Sequence, residues 1–208
     1  MSSLHQASIT GNIDIVKLLI ENGAKIDLKD NKGMRAIHYA ALHGRQDIIC
    51  LLMRCCSSCN EQAFNGDTPL HLAVQSGHAD IVFQFIHYNA DITLTNTQYK
   101  SSLDLACELG RTKIVEILLK SGLCAQFLKD KSRDLSEPQM STTCLHLAAR
   151  NGHNDIIKLL ILFGFDFNRF TPQGTALHEA CRYGRYQSVK ILLEVNSLFL
   201  FVSSMKQF

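Results

Sequence analysis

The sequence lacks the features that direct a chain into or across a membrane. No apolar run reaches the roughly 18–20 residues that a membrane-spanning helix needs. The N-terminus has no basic segment followed by an apolar one, and no Asn-x-Ser/Thr glycosylation acceptor occurs. These absences predict a cytoplasmic protein without membrane insertion, whose eight cysteines stay reduced.

Strong charge of one sign and the common catalytic motifs are also missing. Twenty-one basic and 19 acidic residues leave a net charge of only +2, which argues against a nucleic acid partner. There is no glycine-rich phosphate loop and no Gly-x-Ser-x-Gly elbow. We therefore expect no enzymatic activity, no cofactor and no small-molecule substrate.

The most informative stretch is residues 68–85, which predicts two short helices joined by a tight turn. Thr68 can cap the first helix, and Pro69 suits its first position because no hydrogen bond is lost there. Gly77 suits the turn at which this helix ends. Each helix carries one apolar stripe at helical spacing. The two stripes are Leu70, Ala73 and Val74, followed by Ile81, Val82 and Phe85.

This helix pair recurs along the chain with a period near 33 residues. A Leu-His pair marks four of the copies, Ile37-His38 marks another, and Leu103-Asp104 marks the sixth. The pairs stand at 4–5, 37–38, 70–71, 145–146 and 177–178. The period and the Thr-Pro-Leu-His signature at 68–71 resemble the ankyrin repeat. The resemblance implies an all-α ankyrin-repeat solenoid of about six helix-turn-helix repeats with short β-turn fingers.

The repeats predict one array over residues 1–196 and a divergent apolar tail over 197–208. The repeat boundaries are about 1–33, 34–66, 67–99, 100–141, 142–173 and 174–196. A longer polar loop is expected at 126–141, where the spacing grows from 33 to 42 residues. Tyr99 occupies the position at which other fingers carry glycine.

The recurring histidines invite a catalytic or metal-binding interpretation, but each holds the same place in a structural motif. The resemblance implies that these imidazoles bond to neighbouring threonine and backbone groups. The residues are His5, His38, His71, His146 and His178.

A cysteine cluster supports an alternative of another class, a metal or redox sensor. It comprises Cys50, Cys55, Cys56 and Cys59, and the last two have the spacing of a ligand pair. No second pair follows at finger spacing, and cysteine is also a common small buried residue. We therefore predict no metal site.

A stack of such repeats is expected to expose a concave surface made by the first helices and the fingers. Among these positions, Met34, Phe64, Arg182 and Tyr183 are the preferred anchors, since aromatic, Met and Arg side chains are enriched at interfaces. The complete set of predicted partner-binding residues is Met34, Leu42, His43, Phe64, Asp67, Gln75, Glu108, Leu109, Arg150, Asn151, Arg182 and Tyr183.

Three segments are similar to a narrower group, the caskin scaffold proteins: residues 29–41, 103–111 and 174–180. The second includes the aspartate in place of histidine. The likeness covers about residues 3–193 and implies the front part of a cytoplasmic signalling or synaptic scaffold. The SH3-like module, the SAM domains and the proline-rich tail of that family are absent from this chain. A stand-alone regulator that masks a signalling enzyme or a transcription factor is the alternative. In both cases the partner is a protein that the sequence does not identify.

Overall fold

The structure, a computed structural model, describes residues 1–55, 57–122 and 143–205, with side chains described up to residue 197. Within this part of the chain, twelve helices form six consecutive pairs. The first helices of the pairs, called inner helices here, are α1 Ser3–Thr10, α3 Ala36–Leu42, α5 Pro69–Ser76, α7 Ser102–Glu108, α9 Cys144–Asn151 and α11 Ala176–Arg182. The second, outer helices are α2 Ile13–Glu21, α4 Gln46–Arg54, α6 Ala79–His87, α8 Thr112–Lys120, α10 Asn154–Leu162 and α12 Tyr186–Met205.

The helix pairs stack in register, so that each inner helix packs on the next inner helix. The outer helices make a second layer in the same way. The leucine, isoleucine and valine stripes predicted from the sequence meet in a core that continues through all six pairs. Leu118 and Leu160, for example, are fully buried. The prediction of an all-α repeat stack is confirmed, and the expected loop at 126–141 lies outside the described residues.

Short turns between the pairs form the projecting fingers. Neighbouring fingers are joined by backbone hydrogen bonds, from Phe64 N to Lys32 O at 2.9 Å and from Thr97 N to Asn65 O at 3.0 Å. Tyr99 has a φ of 57°, so it adopts the left-handed conformation that glycine adopts in the other fingers. The finger therefore keeps its turn without glycine, at the cost of local strain.

The two ends of the stack differ from its interior. Ile15 of α2 is 47% exposed, whereas Ile48 at the equivalent position of α4 is 1% exposed. The difference arises because, among the described residues, no helix pair packs on the outward side of α2. At the other end, α12 continues to Met205, so the backbone of residues 197–205 extends the last outer helix. Within the described residues, no helix is both long and apolar enough to cross a membrane.

Candidate functional site

Buried histidines bond to backbone carbonyls of residues 23–29 positions further along the chain, and we call these contacts the His row. In His71, Nδ1 lies 2.7 Å from the Thr68 hydroxyl, and Nε2 lies 3.1 Å from the Lys100 carbonyl, 29 residues further along the chain. Three further histidines contact a carbonyl through Nε2 in the same way, each at 3.0 Å. His5 contacts Met34 O and His146 contacts Gly174 O in the next repeat, whereas His38 contacts Glu61 O within the second repeat. The structural role that the resemblance implied is confirmed for these residues.

The environment of three histidines of the His row, His38, His71 and His146, favours neutral imidazoles. Burial lowers the pKa of His38 to about 4 and also lowers the pKa values of His71 and His146. A neutral ring can donate through Nε2 and accept at Nδ1, which matches the bonds described above. In the fourth repeat, Asp104 replaces the histidine at the capping position and accepts from the Ser101 hydroxyl at 2.6 Å.

A second set of bonds, called the turn row here, was not predicted from the sequence. In repeats two to six, an arginine or histidine side chain at the start of the outer helix donates to a backbone carbonyl. This carbonyl lies near the end of the inner helix of the preceding repeat. The bonds are Arg45 to Ile9 O, His78 to Leu42 O, Arg111 to Gln75 O, His153 to Glu108 O and Arg185 to Arg150 O, at 3.0–3.2 Å. The signal was present in the sequence, because Arg or His follows each turn glycine in repeats two to six.

The turn row explains why the turn positions need glycine. Gly110 has a φ of 70°, and a Cβ atom there would lie 2.6 Å from Cε1 of His153. The position therefore demands both a left-handed backbone and the absence of a side chain. Together, the glycine and the ring of the next repeat hold the end of the inner helix in place.

The turn row fixes the backbone at four of the five inner-helix ends where the sequence predicted partner-binding residues. The acceptor carbonyls belong to Leu42, Gln75, Glu108 and Arg150 of the predicted set, and to Ile9. Because the main chain is held by the neighbouring repeat, the side chains at these helix ends are positioned before any partner arrives.

Most of the predicted site residues are accessible. Phe64 is 71% exposed, Leu109 44% and Tyr183 41%. The other fully exposed members are His43, Arg150 and Arg182, and the partly exposed ones are Leu42, Gln75, Glu108 and Asn151. We call the surface made by these exposed and partly exposed residues, at the ends of the inner helices and at the finger tips, the inner face. Two aromatic finger residues that the prediction omitted, Tyr99 and Phe170, are also exposed.

Met34 and Asp67 are not accessible, so the expectation that they face outward was wrong. Met34 is buried with Tyr39, Ala63 and Leu72 in a small apolar cluster beneath the fingers. Its burial follows from packing of adjacent fingers, which the sequence pattern of one repeat does not show.

Asp67 is buried because its carboxylate organises two fingers. It accepts hydrogen bonds from the side-chain amides of Asn65 at 2.7 Å, Asn96 at 3.0 Å and Gln75 at 3.2 Å. A buried carboxylate with three amide donors is satisfied locally, which favours a structural role. Gln75, itself a predicted site residue, is held by the same contact.

The first finger contains a comparable carboxylate. Asp30 accepts from the Tyr39 hydroxyl at 2.7 Å and from the Lys32 and Met34 amides. Burial raises the pKa of Tyr39 to about 12, assisted by the hydrogen bond and charge of Asp30. Burial acts to raise the pKa of Asp30 as well, but the three donated bonds outweigh it and the pKa is lowered.

The structure brings several predicted site residues into contact in repeats four to six. The Arg150 guanidinium stacks on the Tyr183 ring, 4.6 Å from its centroid. The Asn151 side chain donates to the Glu108 carbonyl at 3.1 Å, and Lys100 forms a 2.7 Å ion pair with the Glu108 carboxylate. Phe64 lies apart from this group, on the second finger, where its ring covers Gly33.

The thiols of the cysteine cluster have separate surroundings. The Gln84 amide donates to Cys50 Sγ, while Cys59 Sγ lies 3.7 Å from the Tyr88 carbonyl and is buried, which raises its pKa. Cys56 lies outside the described residues. Within those residues, no group of three or more His, Cys, Asp or Glu side chains converges as a metal site would require.

Comparison with known proteins identifies the repeat type. Two family models described as ankyrin repeats match this chain. One matches residues 51–129 and again 120–198, and the other matches residues 4–53.

Individual relatives are similar over different parts of the chain. Transient receptor potential cation channel subfamily A member 1 of Homo sapiens is 30% identical over 203 residues, which is 94% of this chain. Caskin-2 of Homo sapiens is 45% identical over 56 residues, or 27% of the chain. Protein phosphatase 1 regulatory subunit 12A of Mus musculus is 36% identical over 62 residues, or 29% of the chain. The matched regions cover only 17%, 5% and 6% of these relatives.

Proposed function

The chain belongs to the ankyrin-repeat family, and from this premise we propose that it binds a protein partner through the inner face without performing catalysis. Ankyrin repeats are protein–protein interaction modules, which supports the general class. We choose the inner face because of the hydrogen bonds of the turn row. The turn row anchors the helix-end carbonyls of Leu42 and Glu108 to the next repeat while leaving the following residues, His43 and Leu109, exposed.

Physical considerations favour this face over the outer helices. A pre-ordered backbone reduces the entropy that is lost on binding. The face also presents Phe64, Tyr183 and two arginines, which are the residue types that dominate binding energy at protein interfaces. A stack only two helices thick offers little enclosed volume for excluding water from a reaction, which is consistent with a non-catalytic role.

We further propose that the chain acts as part of a caskin-like cytoplasmic signalling or synaptic scaffold. The resemblance at residues 29–41, 103–111 and 174–180 and the 45% identity to Caskin-2 support this role. The alternative is a regulator that masks a signalling enzyme or transcription factor. The similarity to a regulatory subunit of protein phosphatase 1 favours that alternative.

The cysteine cluster defines the alternative of another class, a metal or redox sensor. Its test is replacement of all four cysteines by serine, followed by measurement of partner binding and of bound metal. Retained binding in a folded, metal-free variant would eliminate the sensor role.

The experiment that tests the proposal compares two double variants with equal charge changes. Arg150→Glu with Arg182→Glu alters the inner face, whereas Arg54→Glu with Lys158→Glu alters exposed residues of outer helices. Affinity purification with mass spectrometry should recover a partner from the wild type and the outer variant but not from the inner variant. Circular dichroism must show that both variants fold. Equal recovery by all three proteins would contradict binding at the inner face.

A further inference from the structure

The inner face is not uniform along the stack, because an arginine occupies one of the two positions before the turn glycine only in the last two repeats. The residues just before the turn glycines are Ile9 with Thr10 in the first repeat and Leu42 with His43 in the second. In the fifth and sixth repeats these positions hold Arg150, Asn151, Arg182 and Tyr183, and Arg185 begins the next outer helix. We call Arg150, Arg182, Tyr183 and Arg185 the Arg–Tyr cluster.

Contacts within the protein hold two arginines of the cluster in defined positions. Arg150 stacks on Tyr183, with 4.6 Å between its guanidinium carbon and the ring centroid. Stacking uses the face of the guanidinium and leaves its N–H donors in the plane, where they can meet a carboxylate. Arg185 Nε donates to the Arg150 carbonyl at 3.0 Å, which ties the two arginines together across the repeat junction.

The third arginine is anchored from the other side. Arg182 Nη1 lies 2.7 Å from the buried Glu179 carboxylate, and Nη2 lies 3.3 Å from the Gln173 carbonyl. Its side chain is nevertheless 54% exposed. Glu179 offsets one of the three positive charges of the cluster, so these four groups together carry a charge of about +2.

The neighbouring fourth repeat contributes the exposed Arg111, which donates to the Gln75 carbonyl at 3.0 Å, but it has no arginine just before its turn glycine. Glu108 lies at the equivalent helix end of the fourth repeat, and its carboxylate is paired with Lys100 at 2.7 Å. The next residue, Leu109, is exposed and apolar. The surface therefore changes from apolar at Leu109 to cationic and aromatic at the Arg–Tyr cluster.

We propose that the Arg–Tyr cluster binds an acidic segment of a partner protein, in which carboxylates flank an apolar side chain. This assignment rests on the proposed function and specifies its partner. Arginine forks bind carboxylates with paired hydrogen bonds, and the carboxylates complement the net positive charge. The apolar side chain packs on Tyr183, where it removes exposed apolar surface from water.

The test measures fluorescence anisotropy of three labelled peptides of equal length, added to the full chain. In the first peptide glutamates flank one leucine, and the other two carry glutamine or lysine in place of every glutamate. The glutamate peptide should bind at least about tenfold more tightly than the glutamine peptide. Its affinity should fall between ~50 and ~200 mM NaCl, because salt screens exposed charges.

The charge-reversed variants of Arg150 and Arg182 provide the decisive comparison. The double glutamate variant should lose at least about tenfold in affinity for the glutamate peptide and gain affinity for the lysine peptide. The outer variant, with Arg54 and Lys158 changed to glutamate, should bind as the wild type does. Equal affinity for the glutamate and glutamine peptides, or equal losses in both variants, would overturn the assignment.

Two further arms distinguish recognition of an acidic segment from general polyanion attraction and from binding through Tyr183 alone. A single-stranded oligonucleotide that binds as tightly as the glutamate peptide, with the same dependence on Arg150 and Arg182, would show general polyanion attraction and overturn the assignment. The wild type could recover a partner that Tyr183→Ala does not recover, and yet show no preference among the three peptides. This result would overturn the assignment of an acidic segment, while the proposed function would stand. If partner recovery did not depend on the inner face at all, both the assignment of an acidic segment and the proposed function would be overturned.

Discussion

Acidification should destabilise this protein through the buried histidines of the His row. His38 is fully buried, and burial lowers its pKa to about 4 in the folded state. The pKa values of His71 and His146 are lowered for the same reason. In the unfolded chain these imidazoles return to a pKa of about 6.5. Between these values the unfolded state binds more protons than the folded state does.

The sign and size of the effect follow from this difference in pKa. The free energy of unfolding keeps its full value above about pH 6.5. It decreases as the pH falls toward the pKa of the folded state, because protonation then favours unfolding. For His38 alone, the values of about 4 and about 6.5 give a loss of roughly 2 kcal/mol at pH 5. Because His71 and His146 shift in the same direction, the loss for the whole protein should be larger.

Urea unfolding followed by far-ultraviolet circular dichroism measures this loss. The helical signal is the appropriate probe because the chain contains no tryptophan. His38→Gln should be less stable than the wild type near pH 7.5 but should lose less stability on acidification. His43→Gln, which removes an exposed imidazole, is the matched control variant. If wild type and His38→Gln lost the same free energy of unfolding between about pH 7.5 and 5, the assigned burial effect would be refuted.

Three further predictions concern the packing of the repeats. Leu118→Ala should lower the free energy of unfolding by ~2–5 kcal/mol, through lost burial and the cavity left behind, and an unchanged urea midpoint would contradict its complete burial. Ile48→Asp should strongly destabilise the protein, while Ile15→Asp should destabilise it much less because Ile15 is half exposed. Thermal melting of both variants measures the difference, and equal losses of melting temperature would be inconsistent with the difference in exposure. Gly110→Ala should lower the free energy of unfolding by about 2 kcal/mol or more, because alanine disfavours a positive φ and its Cβ would displace the His153 ring. A melting temperature equal to that of the wild type would contradict the role of the turn row.

The stack of helix pairs could be predicted from the sequence because its information repeats. The turn glycine and the pair that begins with leucine or isoleucine recur about 33 residues apart in most repeats, so each copy supports the interpretation of the others. The His row followed from the resemblance for the same reason. Tyr99 shows the limit of this reasoning, because its side chain gave no sign that the finger would keep a left-handed turn.

The candidate site was predicted less completely, since burial at the fingers depends on neighbouring repeats. Met34 and Asp67 have the sequence positions of exposed finger residues, yet packing and amide donors from the adjacent finger bury both. The turn row was missed for a different reason. Arg and His alternate at Arg45, His78 and Arg111, and only their shared ability to donate to a carbonyl reveals the common role.

The most direct measurement for the central claim is hydrogen–deuterium exchange of the full chain with and without its purified partner. If the inner face holds the partner, exchange should slow at the fingers and at the ends of the inner helices, including residues 150–151 and 182–185. The amides of the outer helices α4, α6 and α10 should be unaffected. Slowing confined to those outer helices, with the inner face unchanged, would contradict the account.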